Sequence, residues 1–151
     1  MANLLDWNTL DHKVKAYLDE ENGIDTEQKA FPILMVASLL GVSDEEAEDS
    51  ITDGSKDRGV DAVFIDDRDG RNAIHVFQFK YVNTFENTKK NFPSGEIDKL
   101  VSFFDDVLDL NKSLKMQRLK PKLHPIFNSQ NTIRITCNKA LNSYCQAALL
   151  I

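Results

Sequence analysis

The chain has 151 residues, of which 42% are hydrophobic and 28% are charged, and this composition predicts one globular domain with a single core. No window approaches the roughly eighteen consecutive apolar residues of a membrane helix, and no signal peptide is visible, so we expect a cytoplasmic protein without a membrane partner. The net charge of −6 is unevenly distributed, because residues 1–80 carry 8 basic and 18 acidic side chains while residues 81–151 carry 10 basic and 6 acidic ones. This asymmetry is typical of a protein that binds cations in one place and phosphates in another, and two solvated faces of different charge are the alternative.

Two helices are predicted at the N-terminus. Apolar residues recur every four positions between residues 10 and 18, which predicts an amphipathic helix over residues 6–20. A second helix is predicted over residues 26–40, with Asp25 as its N-cap and Gly41 at its end. Because proline cannot donate the helical hydrogen bond, a kink or a restart is expected at Pro32.

A short acidic helix and a β-hairpin are predicted next. Ser43 and Glu46 have the spacing of a capping box, which predicts a helix to about residue 49. β-Branched and aromatic residues predict one strand over residues 60–65 and another over residues 73–81. The segment between these strands is rich in Asp and Gly, as turns are, so we expect the strands to form a hairpin.

The C-terminal part is predicted to contain two helices and one strand. Ser94 is the expected cap of a helix over residues 96–110, and a strand is predicted over residues 132–137. A last helix is expected over residues 139–151. The apolar stripe of the first of these two helices is predicted to consist of Ile97, Leu100, Val101, Phe104, Val107 and Leu108.

This order of elements predicts an α/β domain over residues 1–151, with a mixed β-sheet flanked by helices. The sequence ends on an apolar run without a polar finish or a helix cap. We therefore expect the domain to be the N-terminal part of a longer protein. Its exposed apolar end would contact the remainder of that chain or a second copy in a homodimer.

The predicted hairpin carries side chains with the chemistry of a metal site. Gln78 and Lys80 lie two residues apart on a strand, so both side chains leave the same face. Asp61 lies at the start of the preceding strand, and hairpin pairing is expected to bring it opposite that pair. The Asp61 carboxylate, the Gln78 carbonyl and the Phe79 backbone carbonyl are oxygen ligands of the kind that Mg²⁺ takes. A lysine beside such an ion stabilises the negative charge that develops on a phosphate.

Structural explanations compete with this metal site. Asp61 is also explained as a carboxylate that flanks a turn, and Lys80 as a solvated lysine at the end of a strand. However, Gln78 and Lys80 interrupt the strand face that they share with Ile74 and Val76. Polar groups on a stripe that faces the core are costly unless they are paired or functional, which favours the functional interpretation.

The segments ITDGSKDRGVDAVFIDD (51–67) and HVFQFKY (75–81) resemble the PD-(D/E)xK nuclease superfamily, in the Mrr-like branch whose motif ends in Gln-x-Lys. They resemble more closely the N-terminal nuclease-like region of the AIPR (abortive infection phage resistance) proteins. The resemblance implies a restriction-endonuclease-like core. It also implies that Asp61 is the metal-binding acid, that Gln78 takes the place of the second acid and that Lys80 is the catalytic lysine.

By this resemblance the protein is a metal-dependent endonuclease. The resemblance implies that it hydrolyses DNA with Mg²⁺ as the cofactor, or Mn²⁺ as a substitute, in bacterial defence against phage. The family also places an acidic metal ligand on the helix before the motif, and Glu27 is the best match for it. RNA stays open as a substrate. The alternatives are a nuclease-like module that binds nucleic acid without cutting it and a regulatory domain of a larger protein.

Three further groups of residues are candidates for supporting roles. Asp53, Asp57 and Gly59 are expected to shape the loop before the motif strand, because Asp and Gly supply turn geometry. Cys137 and Cys145 have no Cys or His partners at zinc spacing and are expected to be reduced thiols. A basic run is predicted either to contact backbone phosphates or to be a solvated connector, and it contains Lys112, Lys115, Arg118, Lys120 and Lys122.

Overall fold

A computed structural model of the chain describes residues 3–52, 59–68, 73–108, 132–139 and 143–150. Helices and strands are both present among these residues, which confirms the general α/β class. The strands lie in one sheet in the order β1-β2-β3-β4. Among the described residues, no helix is both long enough and apolar enough to cross a membrane. The elements in chain order are α1 (Leu4–Ala16), α2 (Glu27–Leu40), α3 (Asp44–Ser50), β1 (Ala62–Asp66), β2 (Ala73–Lys80), α4 (Phe85–Thr88), α5 (Ser94–Leu108), β3 (Thr132–Lys139) and β4 (Ser143–Leu150).

The C-terminal segment differs from its prediction. Residues 139–151 were expected to form a helix, but strand β4 occupies most of this range. A short apolar run is ambiguous between helix and strand because its periodicity does not distinguish them. The position of β4 beside β3 in the sheet explains the outcome, since pairing with a neighbouring strand outweighs the helix propensity of Ala and Leu. The sequence pattern also does not predict the short helix α4.

The ends of α2 and α3 follow from local side-chain chemistry. Ser43 and Glu46 form the predicted capping box, in which Ser43 Oγ accepts from the Glu46 amide at 3.2 Å and Glu46 Oε2 accepts from the Ser43 amide at 3.0 Å. Gly41 ends α2 in the left-handed conformation, as predicted. The N-cap of α2 is Thr26 rather than Asp25, because the Asp25 carboxylate pairs at 3.0 Å with a lysine one turn further on.

Two predictions about helix bounds are corrected. Helix α1 begins before the expected residue 6 because Asn3 caps it by accepting a hydrogen bond from the Asp6 amide at 2.9 Å, and it ends at Ala16 rather than at residue 20. The restart that was expected at Pro32 does not occur, and α2 continues through this buried proline as one helix. The burial of the surrounding turn compensates for the single hydrogen bond that Pro32 cannot donate.

The chain divides into two compact units, and the expectation of a single domain stays a prediction. The first unit comprises Met1–Ile51, Phe79–Phe92 and Asn138–Tyr144. Within it, α2 packs against both α1 and α3. The fully buried Phe31 of α2 lies at the centre of an aromatic group, with its ring 5.9 Å from that of Phe79 and 5.4 Å from that of Tyr81. This unit is therefore a helical core that also includes the end of β2.

The second unit comprises Thr52–Gln78, Pro93–Cys137 and Cys145–Ile151. Its strands β1 and β2 are antiparallel, with Ala62 opposite Phe77 in the register, which confirms the predicted hairpin. Residues 73–79 of β2 are all buried. Burial without alternation is the pattern of a strand that is covered on both faces, and it agrees with the inner place of β2 in the strand order.

The buried face of α5 differs from the predicted apolar stripe. Leu100 and Phe103 are only 3% and 1% exposed, whereas Ile97 and Val101 are 38% and 54% exposed. Leu100 and Phe103 share their helix face with Glu96, since the three residues have i, i+4 and i+7 spacing. A pattern of apolar residues alone misses this face because one of its members is a carboxylate.

Candidate functional site

The backbone of Asp61 is held from two sides just before β1. The Asp61 amide donates to the Phe77 carbonyl at 2.9 Å, and the Asp61 carbonyl accepts from the Thr52 amide at 3.0 Å. The Thr52 hydroxyl also donates to the carbonyl of Val60. Because Ala62 is the register partner of Phe77, two successive residues of one strand oppose one residue of the other, which is a β-bulge. Asp61 thus has a fixed backbone position beside the strand that carries the Gln-x-Lys motif.

Gln78 lies next to Phe77 on β2 and is almost completely buried, with 3% of its surface exposed. Its Nε2 donates to Oε2 of Glu96 at 2.9 Å. Its Oε1 is also buried, and it has no hydrogen-bond partner among the described residues. Buried polar atoms are nearly always hydrogen-bonded, and an exception requires an explanation such as a bound water or ion. The side-chain carbonyl of Gln78 is therefore the most informative atom of the candidate site.

Glu96 and Lys99 of α5 complete a group that we call the amide–carboxylate cluster, consisting of Gln78, Glu96 and Lys99. Lys99 Nζ donates to the same Glu96 oxygen at 2.9 Å. Gly59 packs against this cluster in a left-handed conformation with φ +80°. A Cβ at Gly59 would lie 3.1 Å from Lys99 Cδ and 3.4 Å from Gln78 Nε2. Both the backbone conformation and the lack of space explain why this position of the motif loop carries glycine.

The other predicted ligands, Glu27 and the Phe79 carbonyl, and the predicted catalytic Lys80 belong to the first compact unit. Lys80 is exposed at the end of β2. Glu27 is half-buried in the first turn of α2. Burial raises the pKa of Tyr81, and so do its hydrogen bond to Asp11 at 2.7 Å and the charge of Glu27. The negative charge of Glu27 therefore acts on Tyr81, the residue after Lys80.

Two groups of predicted residues lie outside the described residues. The first group is the pair of motif-loop aspartates, Asp53 and Asp57. The second group is the basic run with its five residues Lys112, Lys115, Arg118, Lys120 and Lys122. Their roles in shaping the loop and in contacting phosphate stay predictions.

Two residues of the second unit carry oxygen atoms of the kinds that were predicted to bind a cation. Asp61 supplies a carboxylate and Gln78 a buried amide oxygen, and both are ligand types that Mg²⁺ takes. Within the described part of the chain, no group of three or more His, Cys, Asp or Glu side chains is placed to hold a metal ion.

Three residues near the motif were missed by the sequence analysis, namely Thr52, Glu96 and Lys99. Thr52 gives no signal in the sequence. A threonine whose amide and hydroxyl donate to two backbone carbonyls looks, in the sequence, like any other threonine before a turn. Glu96 does give a signal, because it lies four residues before Leu100 on the face that α5 buries. A carboxylate on such a face needs a partner, and the buried amide of Gln78 is one.

Comparisons with known proteins add no further assignment. No protein-family model matches the chain, and no curated protein or solved structure is detectably similar to it.

Proposed function

We propose that this protein is a Mg²⁺-dependent nuclease that hydrolyses phosphodiester bonds of DNA, with a restriction-endonuclease-like core. The observation that carries the proposal is the buried Oε1 of Gln78, which has no hydrogen-bond partner among the described residues although it belongs to a Gln-x-Lys motif. An oxygen in this state suits a cation as its partner. The hydrogen bond from the Asp61 amide to Phe77 supports the proposal, because it fixes the aspartate beside the same strand.

Each residue of the motif has a role that follows from its chemistry. Asp61 contributes the main negative charge for the cation, and Gln78 contributes a neutral oxygen. A bound Mg²⁺ supplies Lewis acidity toward the phosphate and lowers the pKa of a water. The exposed ammonium of Lys80 stabilises the negative charge that develops on the scissile phosphate.

Because its motif resembles those of the AIPR proteins and of the Mrr-like PD-(D/E)xK nucleases, we also propose that this activity serves defence against phage in the cytoplasm of bacteria. Thr52 fits this assignment, since it holds the backbone at Val60 and Asp61 with both its amide and its hydroxyl. A rigid first ligand is what a metal site needs, because ligand positions within about half an ångström decide whether the ion is held productively.

The test is cleavage of supercoiled plasmid with Mg²⁺, with Mn²⁺ and with a chelator. Wild type is expected to nick and linearise the plasmid only with metal. Asp61→Asn, nearly isosteric, is expected to lose cleavage because it removes the main charge at the ion. Lys80→Ala is expected to lose cleavage while retaining the metal. The matched controls are Asp67→Asn, an exposed acid of the same hairpin, and Lys90→Ala, an exposed lysine, and both should cleave like wild type.

Cleavage by Asp61→Asn at the wild-type rate would refute the assignment. A gel-shift measurement on the same samples distinguishes the proposed nuclease from the alternative, a module that binds nucleic acid without cutting it. Such a module would retain DNA in wild type and in Asp61→Asn alike and would nick neither plasmid. A single-stranded RNA of equal length, run in parallel, decides between the two substrates.

A further inference from the structure

The two ends of the Gln78 side-chain amide have different surroundings. The Nε2 end donates to Glu96 at 2.9 Å, while the Oε1 end is buried without a hydrogen-bond partner among the described residues. An amide can rotate by half a turn and exchange these two ends, and each orientation presents a different group to the site. Only the orientation that leaves Oε1 as the end without a hydrogen bond offers a ligand to a cation.

Glu96 determines which orientation is adopted. An ionised carboxylate has acceptors and no donor, so it can bind the NH₂ end of Gln78 but not the oxygen end. The reversed orientation would place Oε1 against a negative charge and would lose a charge-assisted hydrogen bond. Lys99 Nζ donates to the same Glu96 oxygen at 2.9 Å, so this oxygen is the acceptor for both of its neighbours. The orientation of Gln78 therefore follows from the chemistry of its neighbour.

We infer that Glu96 is a positioning residue, which holds the amide of Gln78 so that its carbonyl oxygen is presented to a divalent cation. The inference rests on the proposed function for the identity of the ligand, and it adds a residue that the Gln-x-Lys motif does not contain. Glu96 acts through Gln78, and Lys99 supports it by balancing its charge. Gly59 allows the arrangement because a side chain there would press on both Lys99 and Gln78.

The experiment measures Mn²⁺ affinity of the whole chain by electron paramagnetic resonance of the free ion. Glu96→Gln replaces the carboxylate with an amide that accepts and donates, so Gln78 is held in either orientation. Affinity is expected to fall about tenfold, as is typical when the partner that orients a metal ligand is changed. In the metal-free protein, the same change is expected to shift the NMR resonance of the Gln78 NH₂ group.

The decisive variant exchanges the two groups. In Gln78→Glu/Glu96→Gln the amide at position 96 donates to the carboxylate at position 78, whose second oxygen is again presented to the ion. Mn²⁺ affinity is expected to return to the wild-type value or above it. The matched control is Lys89→Met, which removes the ion pair of an equally exposed lysine (56%) with Glu86 outside the cluster, and it should leave Mn²⁺ affinity unchanged.

An unchanged Mn²⁺ affinity in Glu96→Gln would overturn the inference, and it would leave the nuclease proposal intact if wild type cleaves plasmid. Loss of affinity in Glu96→Gln without recovery in the exchanged pair would also overturn it, because a residue that only maintains packing gives that result. Conversely, if the exchanged pair recovers Mn²⁺ affinity but wild type does not cleave DNA, the result supports the role of Glu96 and refutes the nuclease proposal. Wild type that binds no Mn²⁺ would overturn both.

Discussion

The substitution Gln78→Glu tests the amide–carboxylate cluster most directly, because it places a second carboxylate beside Glu96. In wild type, Gln78 Nε2 lies 2.9 Å from Glu96 Oε2. In the variant, an oxygen takes the place of the NH₂ group, and a favourable hydrogen bond becomes a contact between two like charges. The protein must either hold both charges close together or bind a proton.

The expected cost follows from these two options. Two unit charges about 4 Å apart near a protein surface repel each other by about 4 kcal/mol. Protonation of one glutamate with an ordinary pKa of about 4.3 costs about 3.7 kcal/mol near pH 7 and about 1 kcal/mol near pH 5. The ion pair with Lys99 offsets part of the repulsion, but Lys99 is largely exposed. We therefore expect the variant to lose roughly 2 to 3 kcal/mol of unfolding free energy near pH 7 and roughly 1 kcal/mol near pH 5.

Urea unfolding at both pH values, with and without millimolar Mn²⁺, measures the effect. A shared proton raises the pKa of the folded carboxyl above its unfolded value, so the variant must become more stable relative to wild type as the pH falls. Mn²⁺ should restore more stability to the variant than to wild type, because the cation neutralises the two carboxylates. A variant as stable as wild type near pH 7 without metal would show that Glu96 does not lie beside residue 78 in solution.

The remaining predictions concern single contacts, each measured by urea unfolding. Gly59→Ala should lose on the order of 1 to 2 kcal/mol, because alanine at φ +80° is strained and its Cβ would lie 3.1 Å from a side chain of α5. Tyr81→Phe should lose about 1 kcal/mol with the hydrogen bond to Asp11, whereas full stability would show that water replaces this contact. The hydrogen bond from Arg68 lowers the pKa of Asp66 from 3.8 to about 2, so its contribution is complete above about pH 4 and is lost as the pH falls through about 2. Asp66→Asn should therefore be less stable than wild type near pH 7, with a difference that shrinks as the pH falls through about 2, and a difference that does not change with pH would contradict this.

Features that depend on neighbours in the sequence were predicted well. The capping box of Ser43 and Glu46, the left-handed end of α2 at Gly41 and the antiparallel hairpin all follow from interactions within a few residues. In each of them the chemistry that decides the structure is complete in a short segment. Helix α1 begins earlier than the apolar spacing indicated, because Asn3 caps it.

Features that depend on distant partners were not predicted. The hydrogen bond between Gln78 and Glu96 joins residues 18 positions apart, and no local pattern connects them. The segment of strand β4 was expected to be a helix, whereas its place beside β3 is a property of the sheet that no local pattern shows. The candidate site combines both kinds of feature. Asp61, Gln78 and Lys80 are visible as a motif, but the groups that orient them are not.

A neutral residue at position 78 is consistent with the carboxylate of Glu96 beside it. An amide has a donor at one end and an acceptor at the other, so it fits between an anion and a cation with both ends satisfied. Here the donor end already faces the Glu96 carboxylate, and the acceptor end is the buried Oε1. A glutamate in this position would face one carboxylate and depend on a metal ion for its stability. A glutamine keeps the cluster stable without an ion and leaves an oxygen that an ion could take, so an amide at position 78 is compatible with the proposed cation site.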